Sequence, residues 1–159
     1  MHEVLTVRDE FIQDFGEAYQ NFGLPKLMGF VVGLLMANEK PLSLDEITKE
    51  LGVSKGPVSQ VMSRLRDNGL VHRTNLPGNR KDYYKVDPDI FGKAFKNHAG
   101  LLHRNLLLAE KFQQMIQETS DGASDENIAL AKKVDEMRRF YTMMDKHLDA
   151  FMEEWRASR

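Results

Sequence analysis

The sequence predicts a mainly α-helical chain with one small β-hairpin, and three observations carry that prediction. Apolar residues recur at helical spacing over most of the 159 residues. The stretch with β-strand character, residues 70–86, is divided by the turn signal Pro77-Gly78-Asn79. The end of the chain carries Leu130, Val134, Met137, Tyr141, Met144, Leu148, Phe151 and Trp155, which alternate steps of four and three in an unbroken heptad seam.

Taken in order, residues 3–22 place Leu5, Phe11, Ile12, Phe15, Tyr19 and Phe22 on one face of a first helix. Gly23 ends it and Pro25 opens the next. Residues 27–36 are apolar almost all round, so this second helix is expected at the centre of a core. Gly29 and Gly33 in it are compatible with close helix packing, although local crowding is the commoner reason for such glycines. Residues 38–41 break the helix. Ser43 then caps a third helix with Glu46 at its N3 position, a capping box, and Leu44, Ile47 and Leu51 form its apolar face. Gly52 supplies the left-handed turn that follows. Ser54 is the expected cap of a fourth helix, whose Val58, Val61, Met62 and Leu65 keep the i, i+3, i+4, i+7 pattern. Residues 70–74 and 82–86 are the two expected strands. Asp87-Pro88 reads as an N-cap and N1 proline opening a long helix with Phe91, Phe95, Leu101, Leu102, Leu108, Phe112, Met115 and Ile116 on its apolar side. Residues 120–124, with Asp121-Gly122, interrupt it before the seam-bearing last helix.

Composition narrows the class. Apolar residues make up 42% and charged residues 29%, an ordinary globular balance. The chain has no cysteine, which excludes disulfide and thiolate chemistry and fits a reducing compartment. No apolar run reaches the roughly 18 residues of a membrane span, and the N-terminus lacks the pattern of a signal peptide. A cytoplasmic protein with no membrane partner is the expectation. The histidines at 2, 72, 98, 103 and 147 lack metal-ligand spacing. There is no nucleophile–base pattern, no glycine-rich phosphate loop and no HExxH motif. No metal, no cofactor, no catalytic residue and no enzymatic activity are expected. The nine methionines fall at helical spacing and read as core packing.

Net charge is only −2, but it is unevenly placed. Residues 52–86 carry seven basic and two acidic side chains, while residues 1–51 carry four basic and nine acidic ones. The basic segment coincides with the helix pair and hairpin, as a phosphate-facing surface requires. Two helices joined by a tight glycine turn and followed by a hairpin make a winged helix-turn-helix, here with long N- and C-terminal dimerisation helices. The second helix of such a pair enters the major groove. Its polar side offers Ser54, Lys55, Gly56, Ser59, Gln60, Ser63 and Arg64. Gln60 has the chemistry to read adenine and Arg64 guanine, or Arg64 to clamp a phosphate. Ser54 and the first amides of the helix form a favourable place for a phosphate. Arg80 and Lys81, beside the hairpin turn, are placed to reach the adjoining groove or backbone.

These residues resemble a known family. Leu24-Pro25 with its apolar helix, the stretch LSLDEITKELGVSKGPVSQVMSRLRDNGLVHRT, and PGNRKDYYKVDPD are similar to the GbsR branch of the MarR-type winged-helix regulators. The similarity is clearest over residues 24–90. Gly52-Val53-Ser54-Lys55 and Gly78-Asn79-Arg80-Lys81-Asp82 are its most specific pieces. The resemblance implies a homodimer formed through N- and C-terminal helices, double-stranded operator DNA as partner, and repression altered by a small effector. Pro57 departs from the pattern, because many relatives carry a small hydroxyl residue near there.

The expected organisation is an N-terminal dimerisation helix over 1–23, a DNA-binding domain over 24–87 and a helical dimerisation region over 88–159. Phe11, Phe15 and Tyr19 with Val134, Met137, Tyr141, Met144, Leu148, Phe151 and Trp155 are the expected dimerisation residues. The expected function is sequence-specific regulation of transcription, in the sense of a repressor, on a palindromic operator. The alternatives are a non-specific architectural DNA-binding protein and a winged-helix protein-interaction module. Aromatic residues gathered outside the DNA-binding unit have faces that can hold a quaternary ammonium group. With the family resemblance, they make choline-like or betaine-like molecules the first effectors to test.

Overall fold

The computed structural model describes residues 5–119 and 124–159. Six helices and three short strands follow one another as α1 (Val7–Asn21), α2 (Lys26–Met36), β1 (Leu42–Ser43), α3 (Leu44–Leu51), α4 (Lys55–Asp67), β2 (Val71–Asn75), β3 (Asp82–Val86), α5 (Ile90–Glu118) and α6 (Asp125–Ala157). The chain divides into two compact units, Met1–Ile90 and Phe91–Arg159.

The first unit is built around α2, which touches α1, α3, α4 and β3. Its Val31, Val32, Leu34 and Leu35 are buried together with Ile47 of α3, Val58, Met62 and Leu65 of α4, and Val71 of β2. Each such side chain contributes roughly 1.5–3 kcal/mol on leaving water, so the apolar stripe of α4 anchors that helix firmly. The capping box of α3 is formed. Ser43 Oγ accepts from the Glu46 backbone N–H at 3.3 Å, and the Glu46 carboxylate accepts from Ser43 N–H at 2.7 Å. Gly52 closes α3 at φ +63°, where a side chain would be strained.

Gly29 and Gly33 owe their identity to close packing of α2 on α1. A Cβ on Gly29 would lie 2.6 Å from the Gly16 Cα and from the Phe15 carbonyl oxygen. One on Gly33 would lie 3.2 Å from the Phe15 Cβ, and one on Gly16 would run into the Phe30 ring. The less common of the two reasons for these glycines is therefore the operative one.

The hairpin is part of a three-stranded antiparallel sheet in the order β1-β3-β2. Leu42 and Ser43 pair with Tyr84 and Tyr83, and β2 pairs with β3 from Val71↔Val86 to Asn75↔Asp82. Strand β1 was not expected. It is two residues long, and its reason for existing is a partner some forty positions away. At the start of α5 the regular helix begins two residues later than Pro88. Residues 88–89 form a turn and the helix begins at Ile90. The Asp87 carboxylate accepts from Asp89 N–H at 2.7 Å and also meets His72 Nε2, so it ties the end of the sheet to the turn.

The second unit is an antiparallel pair of long helices. Phe95 of α5 packs against Phe151 of α6 with ring centroids 4.7 Å apart, and His103 Nδ1 meets Asp145 Oδ2 at 2.8 Å. Ser124 caps α6, accepting from Asn127 N–H. Of the interruption expected at residues 120–124, positions 120–123, Asp121-Gly122 among them, lie outside the described residues. No helix among the described residues is long and apolar enough to cross a membrane.

Candidate nucleic-acid interface

Helix α4 shows two chemically distinct sides. Val58, Val61, Met62 and Leu65 are buried, whereas Ser54, Lys55, Gly56, Ser59, Gln60, Ser63 and Arg64 are all exposed. The sequence pattern dictates this outcome, since burial of the apolar stripe leaves the intervening positions nowhere else to point. Pro57 occupies N3, where it costs no intrahelical hydrogen bond. Ser54 stands at the N-cap with extended backbone, but its side chain makes no capping hydrogen bond, contrary to the sequence expectation. A Cβ added to Gly56 would meet nothing within 4 Å, so the protein's own packing does not require glycine there.

The wing tip is shaped by side chains. Gly78 takes φ +78° in the turn. Asn79 donates from Nδ2 to the Tyr83 hydroxyl at 2.6 Å and accepts from Lys81 N–H at 3.0 Å. Arg80 is held between these two anchors and is exposed, as is Lys81. Arg73 pairs with Asp82 across β2 and β3 at 3.1 Å, which stiffens the stem below them.

One residue that the sequence did not single out links helix and wing. Asp45, in the first turn of α3, accepts from Lys55 Nζ at 3.1 Å through Oδ1 and from Lys81 Nζ at 3.2 Å through Oδ2. The start of α4 and the wing thus lie within reach of a single carboxylate. The hydrogen bond from Lys55, followed by that from Lys81 and by both positive charges, holds the Asp45 carboxyl below the usual aspartate range. Its local sequence context gives no warning of this, because an acid in the first turn of a helix is ordinarily there for the helix dipole. A cleft bounded by Ser43, Asp45, Lys55, Arg80, Lys81 and Tyr84 surrounds the pair of contacts.

The expected dimerisation residues fall in both units. On α1, Phe11, Phe15 and Tyr19 form a running stack with centroids 5.3 Å apart. Phe15 and Tyr19 are half-buried beside the glycines of α2, and Phe11 is exposed. On α6, Val134 is buried, Met137, Tyr141, Met144, Leu148 and Trp155 are half-buried, and Phe151 is half-exposed beside Phe95. Part of the seam is therefore already engaged with α5 of the same chain. Exposed apolar side chains of the helix pair also lie outside the seam: Phe140 at 56% and Met143 at 63% on α6, with Phe91, Leu101, Leu107, Leu108 and Met115 on α5.

Among the described residues, the cavities of the same unit include two of contrasting character. One, of about 200 Å³, is lined by Phe91, Gly92, Phe95, Phe151 and Trp155 and is almost wholly apolar. The other, of about 400 Å³, is lined by Lys96, His103, Asp145, Asp149, Glu153 and Arg156, with Leu148 and Met152 among them. Among the described residues no group of three or more His, Cys, Asp or Glu side chains could hold a metal ion.

Comparison with known proteins follows the same lines. Residues 29–82 match the model of the MarR family. The chain is 25% identical over 155 residues to the putative HTH-type transcriptional regulator YvaV of Bacillus subtilis, covering 92% of this chain and 88% of that protein. It is 25% identical over 156 residues to the HTH-type transcriptional repressor OpcR of the same organism, covering 92% and 84%. The HTH-type transcriptional repressor GbsR, also of Bacillus subtilis, is 30% identical over 90 residues, covering 57% of this chain and 49% of that protein. A crystal structure described as a transcriptional regulator superposes with a TM-score of 0.76 at 19% identity, covering 97% of this chain and all of that one. That likeness extends over both units and establishes the fold.

Proposed function

We propose that the chain is a winged helix-turn-helix regulator of the MarR type, a reading supported by the match of residues 29–82 to that family's model and by the likeness to HTH-type regulators along most of its length. The protein acts in the cytoplasm as a homodimeric, sequence-specific DNA-binding regulator of transcription, in the sense of a repressor, and recognises a palindromic operator. The observation that carries this reading is the joint placement of Lys55 and Lys81 around Asp45, which puts the start of α4 and the wing on one exposed basic surface. Ser54, Lys55 and Gly56 then face a phosphate, Ser59, Gln60, Ser63 and Arg64 face base edges and the groove wall, and Arg80 and Lys81 reach the neighbouring backbone.

The test begins with a genome-wide map of bound DNA to find the operator, followed by competition with excess random DNA. Retained operator binding supports sequence-specific regulation, and its loss supports an architectural role. Gln60→Ala and Arg64→Ala should each remove about 1–3 kcal/mol of specific binding. Lys55→Ala should weaken all sequences alike with a shallower salt slope. Unchanged operator affinity in the Gln60/Arg64 double variant, with the fold intact, overturns the base-reading role. No DNA binding by the wild type supports the protein-interaction alternative.

The effector is proposed to be a small quaternary ammonium compound of the choline or betaine type. The aromatic cavity formed by Phe91, Phe95, Phe151 and Trp155 supports this reading, since ring faces attract such cations. Titration of choline and glycine betaine by calorimetry, with and without operator DNA, tests it. A ligand that couples to DNA binding shifts operator affinity roughly 5- to 150-fold; no heat and no shift for either compound removes this class of effector.

A further inference from the structure

We propose that Asp45 is a built-in competitor of DNA phosphate, which holds Lys55 and Lys81 in the free protein and thereby lowers affinity for DNA of every sequence. The inference rests on the DNA-binding reading above and assigns a regulator of affinity to that same surface.

The geometry is specific. The two carboxylate oxygens of Asp45 each take one lysine, at 3.1 and 3.2 Å, from positions 10 and 36 residues along the chain. The carboxylate is carried on a fixed support, because the Ser43–Glu46 capping box sets the first turn of α3. The ion pairs themselves are exchangeable. The side chains of Lys55, Lys81 and Asp45 are 65%, 62% and 56% exposed, and exposed pairs are weak enough for a polyanion to displace. When phosphates take over the two lysines, Asp45 is left facing the DNA backbone without its cations. It then repels the phosphates and recruits a cation from solution. That uptake offsets part of the counterion release that drives binding. Gln60 and Arg64 take no part in the exchange, so the ratio of operator to random affinity is untouched.

The test uses the full chain in four forms: wild type, Asp45→Asn, Lys55→Gln/Lys81→Gln, and the triple variant. Binding to operator, to random DNA and to inorganic polyphosphate is measured over a series of salt concentrations, with thermal melting as a fold control. Asp45→Asn is expected to raise affinity for all three polyanions by a similar factor, roughly three- to tenfold at low salt. It is also expected to steepen the salt slope by about one. In the lysine-free background the same substitution is expected to give a clearly smaller gain, the part due to carboxylate–phosphate repulsion alone, which separates competition for the lysines from a general change of charge. Unchanged or weaker polyanion binding by a folded Asp45→Asn variant overturns the proposal and makes Asp45 a brace for the lysines. An equal gain with and without the lysines overturns it as well. If only the polyphosphate responses follow this pattern and no DNA is bound, the competitor stands and the DNA-binding reading fails.

Discussion

Gly56 is exposed at N2 of α4, and a Cβ there would touch nothing within 4 Å. Under the proposed DNA-binding reading, the small residue there leaves room for a phosphate at the helix start. Gly56→Ala should leave the fold as stable or stabilise it by up to about 1 kcal/mol, because alanine is the better helix former. It should nevertheless weaken DNA binding, since the added methyl meets a phosphate at the helix start. Urea unfolding and DNA titration of the same preparation check both halves; unaltered DNA affinity would place the DNA farther from α4 than proposed. Glu46 makes a different kind of prediction. Hydrogen bonds from the Ser43 hydroxyl and then the Ser43 backbone N–H hold its carboxyl below the ordinary glutamate value of 4.5. A folded-state value below the unfolded one means that its stabilisation is complete above about 4.5. That stabilisation is lost as pH falls through the depressed value. Glu46→Gln should flatten this acid limb when urea midpoints are compared between pH 3 and 6, and an acid limb identical to wild type would show that the capping box is not ionic in solution.

At the scale of elements, the tightest contact is between α1 and α2. Gly29→Ala would force a methyl to within 2.6 Å of two backbone atoms of α1, neither of which can rotate away. The helices must part, at a cost of about 1–3 kcal/mol. Gly33→Ala, at 3.2 Å from a side-chain Cβ, should cost less, and chemical denaturation of the pair ranks them. The wing makes the opposite prediction. Arg80 and Lys81 are exposed at its tip, so replacing both with alanine should reduce DNA affinity without lowering the melting temperature. A sharp fall in melting temperature with binding retained would make them structural. The elements that were legible in the sequence are those whose cause is local. The Val58–Leu65 stripe, the Ser43/Glu46 box, Gly52 and the turn at Gly78 each fix backbone or burial within a few residues, and each is found as expected. Strand β1 and the Asp45 clamp depend on partners far along the chain, which periodicity does not register. The closeness of α1 to α2 was visible only as glycines with more than one explanation. The regular part of α5 begins at Ile90, two residues after Pro88, while the Asp87 carboxylate accepts from Asp89 N–H as an N-cap residue does and also meets His72.

For the whole molecule, the decisive question is what covers the apolar surface of the helical unit. Leu101, Leu108, Phe112 and Met115 on α5, and Phe140 and Met143 on α6, are exposed on two long helices of one chain. Apolar surface on this scale marks an interaction site. A second copy of the chain is the occupant that the DNA-binding reading requires, because a palindromic operator is matched by a two-fold protein. The heptad seam is partly engaged within the chain, since Val134 is buried and Phe151 packs against Phe95. The off-seam residues should therefore carry the association. Sedimentation at micromolar concentration should give twice the chain mass of 18.3 kDa. Met143→Glu should give a monomer with unchanged helical content, because it places a charge on a surface that is exposed in the single chain. Val134→Glu should instead melt the helical unit, because it buries a charge without a partner. The Met143→Glu monomer should lose most operator affinity, as each half-site is bound alone, while its α4 and wing remain intact. Footprints of the wild type should show two half-sites about one helical turn apart, at about 34–36 Å. A wild type that sediments as a single chain would overturn the dimer and leave the seam packed within the chain, whereas a Met143→Glu variant that remains dimeric would move the interface away from that face of α6, leaving the aromatic run of α1 as the surface to alter next.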